Sequence, residues 1–333
     1  MSQVAVMGCG SWGTTFAVVL ADAGASVTMW GRREEVCQEI TTRHRNSGYL
    51  GDLPLPLEIT ATTDPGKALS AAEIVVLAVP SQSLRETLAA WVDAVPPDAV
   101  LVSLMKGIER GSHRRMSQVI AETAGADPAR VAVVSGPNLA REIAQRQPTA
   151  SVVASTDPDA ADRVAHACSA PYFRPYTNAD VVGVELGGAV KNVIALAVGI
   201  AEGMGFGDNT KATLITRGLA ETIRLGIALG ADPVTFAGLA GMGDLVATCA
   251  SPLSRNRTFG VAIGRGMTPQ EAVLAARFTA EGVKSCGPIL ELAQAHGVDM
   301  PITEAVVAIV HHGLPLSELG ARLLGRPRKP EGI

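Results

Sequence analysis

Apolar residues in the first half of the chain fall in short unbroken runs, whereas in the second half they fill long stretches punctuated by single polar positions. A run such as Ile74-Val75-Val76-Leu77-Ala78-Val79 leaves no polar face, which predicts a strand covered on both sides, as in a parallel sheet. Strands are expected over residues 3–7, 26–30, 73–79, 99–104, 130–134 and 149–154, with an edge strand at 171–175. Between them, helical spacing predicts helices over 12–23, 34–45, 83–92, 113–123 and 138–145. Strand alternating with helix predicts a doubly wound, Rossmann-like α/β domain.

After about Asn178 the pattern changes. Helices are expected over 182–204, 209–228, 269–276, 286–296 and 303–311, with a tight turn at 203–208 and no apolar run of strand type. The second half is therefore expected to be all-α, with domains over 1–179 and 180–333 and a frayed basic tail over 326–333. A chain of 333 residues fits two domains on length alone.

Composition narrows the classes. With 47% hydrophobic and 18% charged residues the chain can bury a sizeable core. A net charge of −4 offers no electrostatic reason to bind nucleic acid or an anionic membrane. The longest apolar stretch, 186–190 with 193–201, is interrupted by Lys191-Asn192 and reads as shorter than the ~20 residues of a membrane span. A strand begins at once at Gln3, without the charged and apolar leader of a signal peptide. The five cysteines (Cys9, Cys37, Cys168, Cys249, Cys286) are scattered without metal-ligand or disulfide spacing, which suits a reducing cytoplasm. The six histidines pair with no nearby acid in a nucleophile or metal pattern, so no metal is expected.

Five features carry candidate chemistry. Gly8-Cys9-Gly10-Ser11-Trp12-Gly13 follows the first strand and opens a helix, as G-x-G-x-x-G does where a dinucleotide pyrophosphate sits on a helix N-terminus; a purely structural turn is the alternative. Where NAD enzymes place an acid after the second strand, this chain has Arg32-Arg33, which suits a 2′-phosphate, or else forms a solvated pair of charges. Lys106, at the end of a strand, suits a phosphate or carbonyl, or is a surface lysine. Lys191 is the only charge between Leu186 and Ala201; desolvation would lower its pKa toward proton-transfer chemistry, unless its stem snorkels to water. Asp244 could orient an ammonium, and Arg255 or Arg257, which the sequence does not rank, offers a fork for phosphate.

Gly-Cys-Gly-Ser-Trp-Gly at 8–13, Met-Lys-Gly-Ile-Glu at 105–109, Ser-Gly-Pro-Asn at 135–138, Glu-Leu-Gly-Gly-Ala-Val-Lys-Asn-Val at 185–193, Gly-Met-Gly-Asp-Leu at 241–245 and Ser-Arg-Asn at 254–256 together resemble the bacterial NAD(P)-dependent glycerol-3-phosphate dehydrogenase family. The resemblance runs from Val4 to about Leu324. It implies hydride transfer between NAD(P)H and dihydroxyacetone phosphate to give sn-glycerol 3-phosphate, a phospholipid precursor. It further implies that Lys191 transfers the proton and that Lys106, Gly136, Asn138, Asp244, Ser254, Arg255 and Asn256 meet substrate. Asn138 stands where the family usually has Ser or Thr. The same resemblance places Gly8, Gly10, Ser11, Trp12, Gly13, Arg32, Arg33, Lys106, Ala140, Arg255 and Glu281 at the cofactor; Thr279 lies in a stretch that departs from the family's valine-rich version. Partners are then small molecules, with a homodimer compatible. The rivals are a dehydrogenase of the same architecture acting on a 3-hydroxy acid or sugar acid, and a non-catalytic redox sensor.

Overall fold

Eight strands form one sheet: β1 (Gln3–Met7), β2 (Ser26–Trp30), β3 (Ile59–Thr62), β4 (Ile74–Leu77), β5 (Val100–Ser103), β6 (Val131–Ser135), β7 (Thr149–Ala154) and β8 (Phe173–Asn178). The computed structural model that defines them describes residues 2–276 and 280–318. Their order is 3-2-1-4-5-6-7-8, with β1 to β6 parallel, β7 antiparallel to β6 and β8 parallel to β7. The first six follow the dinucleotide-binding order, in which the winding reverses between β1 and β4 and leaves a crevice beyond their carboxyl ends. Every residue of β4, β5 and β6 is buried, as their uninterrupted apolar runs require.

Both faces of this sheet are covered. Along β1, Val4 and Val6 join one core with Phe16, while Ala5 and Met7 join another with Leu88, the alternation a strand imposes. The first face is packed by α1 (Ser11–Asp22), α2 (Glu34–Arg43) and the short α3 (Ser47–Leu50); α4 (Pro65–Leu69), α5 (Leu84–Ala89) and α6 (Met116–Ala124) cover the second. Then come α7 (Ala140–Ala144) and α8 (Pro158–Ala167), whose residues again join the first face. The sequence reading missed β3, α3, α4 and α8. β3 is an edge-side strand of sequence Ile-Thr-Ala-Thr with only Ile59 buried, so it shows no apolar run. α8 is short and built largely of alanine and charged residues; Asp157 accepts from the Asp159 N–H, and Pro158 takes the first helical position.

The remaining elements are helices: α9 (Val181–Gly203), α10 (Asp208–Ala228), α11 (Asp244–Ala250), α12 (Arg255–Gly264), α13 (Pro269–Ala276), α14 (Glu281–Ala295) and α15 (Pro301–His312). No strand occurs among the described residues of this part. The chain folds as two compact units, Met1–Met105 with Arg115–Val181, and Lys106–Arg114 with Val182–Ile333. The segment that leaves β5 thus belongs with the helices, and its Ile108 is fully buried in their core beside Leu186, Val190 and Ile289. At 23 residues α9 is long and apolar enough to cross a membrane, contrary to the shorter stretch read from the sequence. Its most apolar window is, however, 89% buried by the helices around it. α14 begins five residues before its expected start and runs through Pro288; α11 and α12 were not among the expected helices. The basic tail and Thr279 lie outside the described residues.

Candidate active site

The glycine turn after β1 has the shape a pyrophosphate needs. Gly8 holds φ +138°, and a Cβ there would lie 2.4 Å from the Ala78 carbonyl oxygen; one at Gly13 would lie 2.3 Å from the Gly8 oxygen. Neither clash can be relieved by rotating a side chain, so both positions require glycine. A Cβ at Gly10 would meet nothing within 4 Å, so packing within the described residues does not require glycine there. Gly10 also begins α1 without a side-chain cap, so the first N–H groups, at Ser11 and Trp12, are available to an anion. The Trp12 indole N–H is buried without a partner. Thr15 Oγ1 donates to the Ala140 carbonyl at 3.2 Å and ties α1 to α7. Beyond β2, Arg32 and Arg33 are exposed, and the Arg33 guanidinium lies 5.9 Å from the centre of the Tyr49 ring. These features fit a dinucleotide, and among the described residues no group of side chains could hold a metal ion.

Among the helices, two lysines converge on one carboxylate. Asp244 opens α11 just after a π-helical turn, Leu239–Gly243, whose close packing depends on glycine: a Cβ at Gly187 of α9 would lie 2.4 Å from the Ala240 oxygen. Asp244 is fully buried. Its Oδ1 accepts from Lys191 Nζ and its Oδ2 from Lys106 Nζ at 2.5 Å. Lys191 also donates to Thr248 Oγ1 at 2.7 Å, one turn along α11. Burial pulls the Lys191 ammonium down to about 8; the Asp244 carboxylate opposes this and the Lys106 charge adds to it. Neither bland alternative fits: the Lys191 side chain is 9% exposed and does not snorkel, and that of Lys106 is 11% exposed.

Residues 3–161 match the profile described as NAD-dependent glycerol-3-phosphate dehydrogenase N-terminus, and residues 180–321 its C-terminal counterpart. The chain is 62% identical over 332 residues to glycerol-3-phosphate dehydrogenase [NAD(P)+] of Thermobifida fusca, covering 99% of both chains. Its namesake in Streptomyces griseus is also 62% identical, over 99% of this chain and 98% of that one. The crystal structure of the Coxiella burnetii glycerol-3-phosphate dehydrogenase superposes with a TM-score of 0.92 at 37% identity, covering 97% of this chain and 98% of that one. The chain belongs to the glycerol-3-phosphate dehydrogenase family.

Within this family frame the two arginines of α12 separate. Arg257 is partly buried and pairs with Glu202 of α9 at 2.7 Å; Arg255, on the first turn, is the more exposed of the two. Ser254 is buried and its hydroxyl caps α12 by accepting from the Arg257 N–H. Asn256 bridges three helices, donating to Asn192 Oδ1 and accepting from the Gly282 N–H, each at 2.9 Å, next to Glu281 at the start of α14. Beyond β6, Gly136 holds φ +135° with a hypothetical Cβ 3.3 Å from Ser151 Cα. Both ends of the nearby Asn138 amide are buried without a partner. Sequence reasoning missed Thr248, Asn192 and Tyr49. The i, i+4 spacing of Asp244 and Thr248 would have placed both on one helical face, had α11 been recognised.

Proposed function

We propose that this dehydrogenase reduces dihydroxyacetone phosphate to sn-glycerol 3-phosphate with NADPH or NADH, supplying glycerophospholipid synthesis from the cytoplasm. The observation that carries the mechanism is Asp244 shared between Lys191 and Lys106. Three charges, two positive and one negative, leave one net positive charge in a buried place, which favours an oxygen that becomes negative during reaction. The reduced nicotinamide, when bound, supplies the hydride to C2. Lys191 stabilises the C2 oxygen and then protonates it. Of its three N–H groups, Asp244 and Thr248 take two, which leaves one for substrate. In the reverse direction the neutral amine takes the hydroxyl proton, which a group near 8 can do under mildly alkaline conditions. Asp244 aims both lysines. Lys106 adds a second ammonium, Arg255 grips the phosphate, and Ser254 and Asn256 hold the first turn of α12 in place. Asn138, with its unpaired amide, offers further hydrogen bonds to a ligand, and Gly136 lets the substrate approach the backbone beyond β6. Gly8, Gly10, Ser11, Trp12, Gly13, Ala140 and Glu281 serve the cofactor, with Arg32 and Arg33 toward a 2′-phosphate.

The test is an assay of NADPH and NADH oxidation by purified protein with dihydroxyacetone phosphate beside unphosphorylated dihydroxyacetone. Turnover should require the phosphate. Arg255→Ala should raise KM for dihydroxyacetone phosphate about tenfold or more, because a charge-assisted hydrogen bond contributes about 1.5–3 kcal/mol. Neutralising Arg32 and Arg33 should raise KM for NADPH and leave NADH little altered. Equal turnover of the two ketones overturns the phosphate assignment.

A further inference from the structure

We propose that Asn46 is the positioning residue of the glycine turn: it aims the Gly10 N–H at the cofactor phosphates. This rests on the reading of residues 8–13 as the dinucleotide site. Asn46 lies between α2 and α3 and is 0% exposed, although asparagine is usually a surface residue. Its Nδ2 donates to the Cys9 carbonyl at 3.0 Å and to Thr14 Oγ1 at 2.8 Å. A carbonyl can only accept, so the amide nitrogen must be the atom that faces Cys9. One side chain from a separate loop thereby links the middle of the turn to the first turn of α1.

The consequence follows from the geometry of the peptide bond. No peptide among the described residues is cis, and in a trans peptide the C=O and N–H point in opposite directions. Holding the Cys9 oxygen toward Asn46 therefore turns the Gly10 N–H to the opposite side, away from Asn46. At Gly10 itself a Cβ would meet nothing within 4 Å, so the described residues leave open space beside this stretch of backbone. Without the amide, the 9–10 peptide can rotate and exchange its donor for a carbonyl, whose partial negative charge repels phosphate. Asn46 is itself held in place, since its carbonyl accepts from the Tyr49 and Leu50 N–H groups as α3 begins. Its Oδ1 is buried without a partner. The side chain has thus been taken out of water for what its nitrogen does alone.

The experiment compares wild type, Asn46→Ala and Thr14→Val for NADPH and NADH dissociation constants by nucleotide fluorescence, together with KM, kcat and Tm. Asn46→Ala loses both hydrogen bonds and should weaken NADPH and NADH alike, by about tenfold or more. The rise in cofactor KM should far exceed any fall in kcat, and KM for dihydroxyacetone phosphate should stay put. Thr14→Val keeps the shape and removes one acceptor; it should weaken both nucleotides by about threefold, and it retains the test if the alanine variant folds poorly. Variants that bind both nucleotides as wild type does, or a lower Tm with unchanged dissociation constants, overturn the proposal. Failure of the wild type to bind either nucleotide overturns the underlying reading of the turn, and the proposal with it.

Discussion

On the proposed mechanism Lys191 has to be charged to finish a reduction and neutral to begin an oxidation, so its depressed pKa would divide the two directions by pH. Burial sets that value at about 8, with Asp244 holding it up and Lys106 pushing it down. With wild type, kcat for ketone reduction should therefore fall as pH rises through about 8, while kcat for alcohol oxidation rises through the same range. Lys191→Ala should lower kcat by about 10²–10⁴-fold with cofactor affinity kept. Lys191→Arg should fail as well, since guanidinium stays charged and cannot act as the base. Profiles of rate against pH in both directions, run beside Tm, decide the matter; an alanine variant with near-normal kcat would hand the role to Lys106. Lys191 was legible in the sequence because it is a lone charge in an apolar helix. Thr248 was not, because nothing local marks a threonine 57 residues away as its partner.

Close approach of α9 and α12 is what lets the candidate site form around them. Gly199 and Gly203 of α9 face Gly260 and Gly264 of α12, and the two helices meet backbone on backbone. A Cβ at Gly260 would lie 2.3 Å from the Leu196 oxygen, and one at Gly199 2.1 Å from the Arg257 oxygen. Gly260→Ala or Gly199→Ala must push the helices apart, and overpacking of this kind costs roughly 1–3 kcal/mol even though alanine is the better helix former. Because α12 begins at Arg255, the proposed phosphate ligand, the shift should also raise KM for dihydroxyacetone phosphate. Thermal unfolding with KM measurements tests this, and a gain in Tm for either variant would mean that the helices have room to spare. At this scale the legible elements were those with a strong period: the buried strands, α1, α9 and α10. β3, α8, α11 and α12 were missed because short, polar or glycine-containing segments carry too little periodic signal.

Stability as a whole should depend on pH through Glu221, a carboxylate of α10 that is 1% exposed. It accepts from the Ile302 N–H at 2.6 Å and from the Thr303 N–H and hydroxyl at 3.2 Å, capping α15 from another helix. Desolvation outweighs these bonds and the nearby Arg224, and raises its pKa from 4.5 to about 7. The folded state thus holds a proton between about pH 4.5 and 7 that the unfolded chain has lost. The resulting stability is full below pH 4.5 and is lost as pH rises through 7. Lowering pH from 8 to 5.5 should therefore raise Tm more in wild type than in Glu221→Gln, and parallel Tm curves for the two would refute the linkage. Across the molecule, local spacing was enough for the alternation of strand and helix, the glycine turn, the isolated lysine and the family, since each is written within a few residues or in the order of motifs. Tertiary structure alone decided that β7 runs antiparallel, that Glu202 pairs with Arg257, and that Asp244 serves two lysines 53 and 138 residues distant. A periodic pattern states which face of an element is buried, whereas the partner a buried charge meets depends on how remote helices pack, and no local spacing encodes that.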